Sequence, residues 1–112
     1  MIIKQDCLDK LKNISEYKDN WNSYGAAPID KDLIDECKTI INQVSVYPEI
    51  FATANKSIQL EYHGDEIYIE IEMFSDKYAL FCEANGKWTE IDLDSISQVI
   101  RWWNVLTAIA ER

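Results

Sequence analysis

From residue 58 to residue 91, apolar and polar side chains alternate through four short runs separated by three turn signals. That period of two belongs to strands and cannot be laid on a helix. The clearest run is Ile67-Tyr68-Ile69-Glu70-Ile71-Glu72. If Gly64-Asp65 is a two-residue hairpin turn, Tyr62 faces Ile67, Leu60 faces Ile69 and Ile58 faces Ile71. With Ser75-Asp76 as the next turn, Met73 faces Tyr78, Ile71 faces Leu80 and Ile69 faces Cys82. With Asn85-Gly86 as the third, Cys82 faces Thr89 and Leu80 faces Ile91. All three turns put the aliphatic side chains on one side, an agreement that a one-residue slip in pairing destroys.

Helical patterns flank this meander. Leu8, Leu11, Ile14 and Tyr17 recur at helical spacing over residues 5–18. Asp30 is placed as an N-cap, with Ile29 and Ile34 spaced for a hydrophobic staple. Leu33, Ile34, Cys37, Ile40, Ile41 and Val44 then form a stripe that ends near Ser45. Residues 49–56 read as an irregular connection. A third helix starts near Ser95, with Ser95 and Gln98 at capping-box spacing. Its apolar stripe of Ile96, Val99, Ile100, Trp103, Leu106 and Ala110 is widened by Trp102, Val105 and Ile109, so it is either sandwiched or presented to another chain. The expected fold is one α+β domain over residues 1–112, in the order α-α-β-β-β-β-α. It is a four-stranded antiparallel meander with helices packed on one face.

The turn assignments also say what lies on the other face: Gln59, Glu61, His63, Glu66, Tyr68, Glu70, Glu72, Ala79, Phe81, Glu83, Trp88 and Glu90. In that register Glu61 lies opposite Tyr68, Glu70 opposite Phe81 and Glu83 opposite Trp88, so rings separate the carboxylates. A solvated strand face needs the carboxylates but not Phe81 and Trp88, because contiguous exposed rings mark contacts. Three coverings are open: a helix or the 45–56 segment, a partner or second subunit, or a small ligand in a groove.

Charge narrows the partner. With 20 acidic against 11 basic residues the net charge is −9, and no Lys/Arg cluster exists to neutralise a phosphate backbone or an anionic membrane. Such a chain stays soluble, attracts a basic partner, or occupies a nucleic-acid-binding surface by imitating phosphate. No window has the length of a transmembrane helix, and the start lacks a signal peptide's features, so a cytoplasmic location is expected. The three cysteines, Cys7, Cys37 and Cys82, are widely spaced at apolar positions and accompany a single histidine. They read as core filler, with no metal site and no cofactor expected.

A second segment stands out, Trp21-Asn22-Ser23-Tyr24-Gly25-Ala26-Ala27-Pro28-Ile29-Asp30. Gly25 permits a positive φ, and the alanines allow close backbone approach before Pro28. One reading is a packing plug sealed by Trp21; the other is a binding loop presenting Trp21, Tyr24, Gly25 and Pro28. The segment resembles the W-[DN]-G-Y-G-A-x-P-I signature of a group of small bacterial and phage-borne proteins. Pro48 and Leu60-Glu61-Tyr62 resemble the connection and the L-E-[WY] strand that follow in that group. The likeness spans roughly residues 10–73. Ser23 replaces the group's usual glycine, and Lys56-Ser57 stands where a D-G turn is common. Small acidic proteins of this kind are associated with antitoxins and with inhibitors of host defence enzymes, and the resemblance implies no catalytic residues.

The expected function is non-catalytic protein binding, to a basic surface or to a second copy, with no direct nucleic-acid or membrane contact. The residues expected to carry it are Glu61, Tyr68, Glu70, Glu72, Phe81, Glu83, Trp88 and Trp102. The alternative is a small enzyme or ligand-binding protein with a cleft around Trp21, Tyr24, Glu61 and His63.

Overall fold

The computed structural model describes residues 1–112 and has three helices and five strands, in the order α-α-β-β-β-β-β-α. They are α1 (Lys4–Ser15), α2 (Lys31–Ile41), β1 (Glu49–Ala52), β2 (Ile58–His63), β3 (Ile67–Met73), β4 (Tyr78–Ala84), β5 (Lys87–Leu93) and α3 (Ile96–Ala110). The strands form one antiparallel sheet in sequence order. The expected α+β class and helix order hold, but the meander has one more strand than expected. Glu49-Ile50-Phe51-Ala52 forms that strand, at the sheet edge beside β2. It is too short to show alternation, and its return to β2 uses no glycine. Instead Lys56 takes the left-handed conformation, φ 59°, that three-residue hairpin loops need near their end.

The turns after β3 and β4 fall where expected. The register of β2 against β3 does not. Gly64 N–H bonds to the Ile67 carbonyl at 2.9 Å, so Asp65 and Glu66 are the central turn residues. Neither Gly64 nor Asp65 has a positive φ, which rules out the glycine-first two-residue turn. Centring the turn one residue later moves every cross-strand pair by two. Tyr62 therefore faces Ile69, Leu60 faces Ile71 and Ile58 faces Met73. A shift of two leaves each side chain on its own face, so the core side is unchanged. Two details change: Glu66 leaves the outer face for the turn, and Glu61 faces Glu70 instead of Tyr68.

All three helices lie on the aliphatic side of the sheet. Ile58, Leu60, Ile69, Ile71, Met73, Leu80 and Leu93 join Cys7, Leu11, Ile14, Leu33, Cys37, Ile40, Ile41, Val99 and Trp103 in one buried cluster. Trp103 is fully buried and donates its indole N–H to the Val46 carbonyl at 2.8 Å, fastening α3 to the chain that leaves α2. Cys7 and Cys37 are buried and Cys82 is half-buried, with no disulfide among them. Burial pushes the Cys7 thiol up to about 11, so both its packing and its protonation keep it unreactive.

α1 ends at Ser15 rather than at residue 18, and Tyr17 stacks on Trp21 with ring centroids 4.8 Å apart. Asp30 caps α2 by position, but its carboxylate does not bond the helix. It accepts from the Ser75 hydroxyl at 2.8 Å and lies 3.6 Å from Lys56, tying α2 to the β3–β4 turn. The Ser75 hydroxyl, then the Lys56 ammonium, hold the Asp30 carboxyl below its ordinary range. At the start of α3, the Ser95 hydroxyl accepts from Gln98 N–H at 3.2 Å, as the capping spacing predicts. No helix is long and apolar enough to cross a membrane.

Candidate functional site: the outer face of the sheet

With every helix packed on one side, no helix or strand packs on the opposite face of the sheet, and only the Lys10 side chain of α1 reaches it, at the Phe51 edge. The pairings arrange it in three rows that cross the strands. The first row runs His63, Tyr68, Glu83, Trp88. The second runs Glu49, Glu61, Glu70, Phe81, Glu90, and the third Phe51, Gln59, Glu72, Ala79, Asp92. None of these positions is Lys or Arg, and seven are carboxylates: Glu49, Glu61, Glu70, Glu72, Glu83, Glu90 and Asp92.

The carboxylates at the middle of the face are held in place. Tyr68 donates its hydroxyl to Glu70 Oε1 at 2.7 Å. His63 Nε2 lies 3.0 Å from Glu61 Oε1, and the Glu61 side chain is only 15% exposed. The Ser57 hydroxyl donates to Glu72 Oε2 at 2.5 Å. These donors offset part of the repulsion that packing carboxylates together creates. Burial, then the bond to Glu70, drives the Tyr68 phenol well above its ordinary range, so it remains a donor beyond the pH at which a free tyrosine ionises.

Rings fill the gaps. The Tyr68 ring is tilted against His63 at 4.9 Å and lies edge-on to Trp88 at 6.1 Å. Phe81 is half-buried between Glu70 and Glu90, while Trp88 is 65% exposed. Phe51 adds another exposed ring at the β1 edge, where Lys10 of α1 approaches its face at 5.8 Å. The expected pairs Glu70–Phe81 and Glu83–Trp88 are present. The expected Glu61–Tyr68 pair is not, because of the register shift; carboxylates stand side by side in Glu49, Glu61 and Glu70.

The structure thus brings Glu61, Tyr68, Glu70, Glu72, Phe81, Glu83 and Trp88 together on one surface. Trp102 is not among them. It sits half-buried on α3, packed against the core on the opposite side of the sheet. Glu49 and Phe51 are not among the residues expected from the sequence, because their four-residue strand carries the pattern of an irregular connection. Nor is Asp92, which continues the parity of Trp88 and Glu90 and is readable from it.

The loop of residues 20–29 satisfies its own polar groups. The Asn22 side chain accepts from Tyr24 N–H at 2.9 Å and from Ala26 N–H at 3.1 Å, and the Asn20 side chain accepts from Gly25 N–H at 2.7 Å. Trp21 donates its indole N–H to the Ala27 carbonyl at 2.8 Å, and Ala26 and Ile29 are buried. These contacts fold the segment on itself, and Tyr24, 90% exposed, is its one exposed large side chain beside exposed Asn20, Ser23 and Gly25.

The four residues of the alternative cleft are not assembled. A concavity of about 580 Å³ does include Glu61 and His63, with Met1, Tyr47, Tyr62 and Glu111 among its other walls. Trp21 and Tyr24 do not line it. Searches against family models, curated proteins and solved structures find no match to this chain.

Proposed function

We propose that this chain is a non-catalytic interaction protein that captures a basic protein surface on the outer face of its sheet. The supporting observation is the composition of that uncovered face: seven carboxylates, four rings in Phe51, Tyr68, Phe81 and Trp88, and no Lys or Arg. Carboxylates provide steering and register toward a cationic partner, and partly buried rings provide the contact energy. Two copies of the face repel one another, which favours a different, basic partner over self-pairing through this surface. An antitoxin, or an inhibitor of a nucleic-acid-handling defence enzyme, is the physiological role such a face fits. A phosphate-binding groove is cationic and would meet the carboxylates as it meets its substrate. The resemblance of the Trp21–Ile29 segment to small bacterial and phage-borne proteins agrees with that role.

The test is affinity capture from a bacterial host extract, with wild type and the double variant Glu83→Lys/Glu90→Lys as baits. Neither residue accepts a hydrogen bond from a neighbouring side chain, so the double variant is expected to fold as the wild type does. Loss of a salt-sensitive captured protein, with an unchanged melting curve, supports the reading. Undiminished capture shows a face that is only solvated.

A further inference from the structure

Strand β5 ends the sheet, and the side turned away from β4 has no strand beside it. The β4–β5 turn has φ 54° at Asn85 and 76° at Gly86, the two positive values of a type I′ hairpin. Residues flanking such a turn exchange both backbone hydrogen bonds, and bonded pairs then alternate along the ladder. Ala84–Lys87, Cys82–Thr89 and Leu80–Ile91 are therefore the bonded pairs. Trp88, Glu90 and Asp92 are left with their N–H and C=O groups pointing away from the sheet. No backbone hydrogen bond outside the ladders reaches them, and all three residues are exposed. These same residues place their side chains on the acidic face.

We infer that the β5 edge accepts an extended basic segment of the partner as a sixth antiparallel strand. The inference rests on the proposed function and names the form in which the partner binds. The edge supplies main-chain hydrogen bonds, and alternate side chains of the incoming strand meet the acidic face. Lys or Arg at every second position lies against Glu90 and Asp92, and a cation can stack on the exposed Trp88 ring. A second copy of this chain is a poor occupant. The register that pairs the whole of β5 with itself sets Glu90 opposite Glu90, and each chain carries a net charge of −9. The carboxylates thus exclude self-association at an open edge while admitting a strand of opposite charge.

The test uses the intact protein and three capped octapeptides of alternating Arg and Val. The first is unmodified, the second carries backbone N-methyl groups on the arginines, and the third carries them on the valines. Residues directly opposite one another in a bonded pair share a face, so an Arg over the acidic face points its N–H at β5. The unmodified and valine-methylated peptides are expected to bind, to change Trp88 fluorescence, and to slow amide exchange at Trp88, Glu90 and Asp92. Arginine methylation removes the bonds to β5 and is expected to weaken binding by roughly tenfold or more. If all three bind equally well, the strand-addition inference fails while the acidic-face reading stands. If the valine-methylated peptide weakens as much as the arginine-methylated one, strand addition in this orientation fails. If none binds, both fail.

Discussion

Glu61 and Glu70 stand directly opposite each other on β2 and β3, and Glu49 on β1 continues the row. Like charges in facing positions destabilise a sheet, so this arrangement is not what stability alone would select. His63 and Tyr68 lie against the two inner carboxylates and hold them in place. A surface that concentrates charge at the expense of its own sheet is the pattern expected of a site made for a counter-charge.

Neutralising one member should relieve the strain. Glu61→Gln is expected to raise stability by about 0.2–1 kcal/mol in low salt. Added salt should reduce the gain only in part, because the Glu61 side chain is 15% exposed and partly buried charges are screened less than exposed ones. Urea unfolding at two ionic strengths measures it.

Ser23 sits at φ 66°, a left-handed conformation that glycine adopts without strain. Ser23→Gly is expected to stabilise the loop by roughly 0.5–1 kcal/mol, the left-handed penalty less the added freedom of the unfolded chain. Gly25, at φ 85°, has open space where a Cβ would go, so Gly25→Ala adds backbone strain with no clash and should cost about 0.5–1 kcal/mol, the left-handed penalty less the freedom lost from the unfolded chain. Thermal melts of the two variants should move in opposite directions.

Two tryptophans should behave oppositely. Trp103→Phe leaves the Val46 carbonyl without its buried donor and opens a void, at a cost of about 1–3 kcal/mol. Trp88→Ala removes a ring that is 65% exposed and should shift stability by no more than ~0.5 kcal/mol. Its cost should appear in partner binding.

Tyr78 donates its hydroxyl to Glu36 at 2.7 Å, joining β4 to α2. Burial, then that bond, pushes its phenol up to about 12. An unfolded tyrosine ionises near pH ~10. Stability from this group is therefore full below pH ~10 and lost as the pH rises from there to about 12. Tyr78→Phe should flatten its share of that alkaline loss, read from unfolding curves across the window.

The legible parts of this fold are those where a local signal has a single geometric meaning. Asn85-Gly86 demands positive φ at both residues and so set the β4–β5 register without ambiguity. Gly64-Asp65 looked comparable, but Gly64 does not use its left-handed freedom, and the turn moved to Asp65-Glu66. The core face survived because the move shifts pairing by two. The cross-strand partner of Glu61 did not survive, since partner identity depends on the turn centre itself. Strand β1 was illegible because it is four residues long and its turn relies on Lys56 in a conformation that its residue type does not advertise. The absence of any element over Phe81 and Trp88 is a tertiary fact, which no local pattern encodes.

Carboxyl footprinting of the protein, free and bound to its captured partner, tests the central claim most directly. Carbodiimide-driven amidation followed by mass spectrometry reports each exposed carboxylate separately. Glu83, Glu90 and Asp92 are expected to lose labelling in the complex, while Asp9 on α1 and Asp35 on α2 keep theirs. Protection of Asp9 and Asp35 with the three sheet carboxylates still fully labelled would place the partner on the helices and contradict the docking face described here.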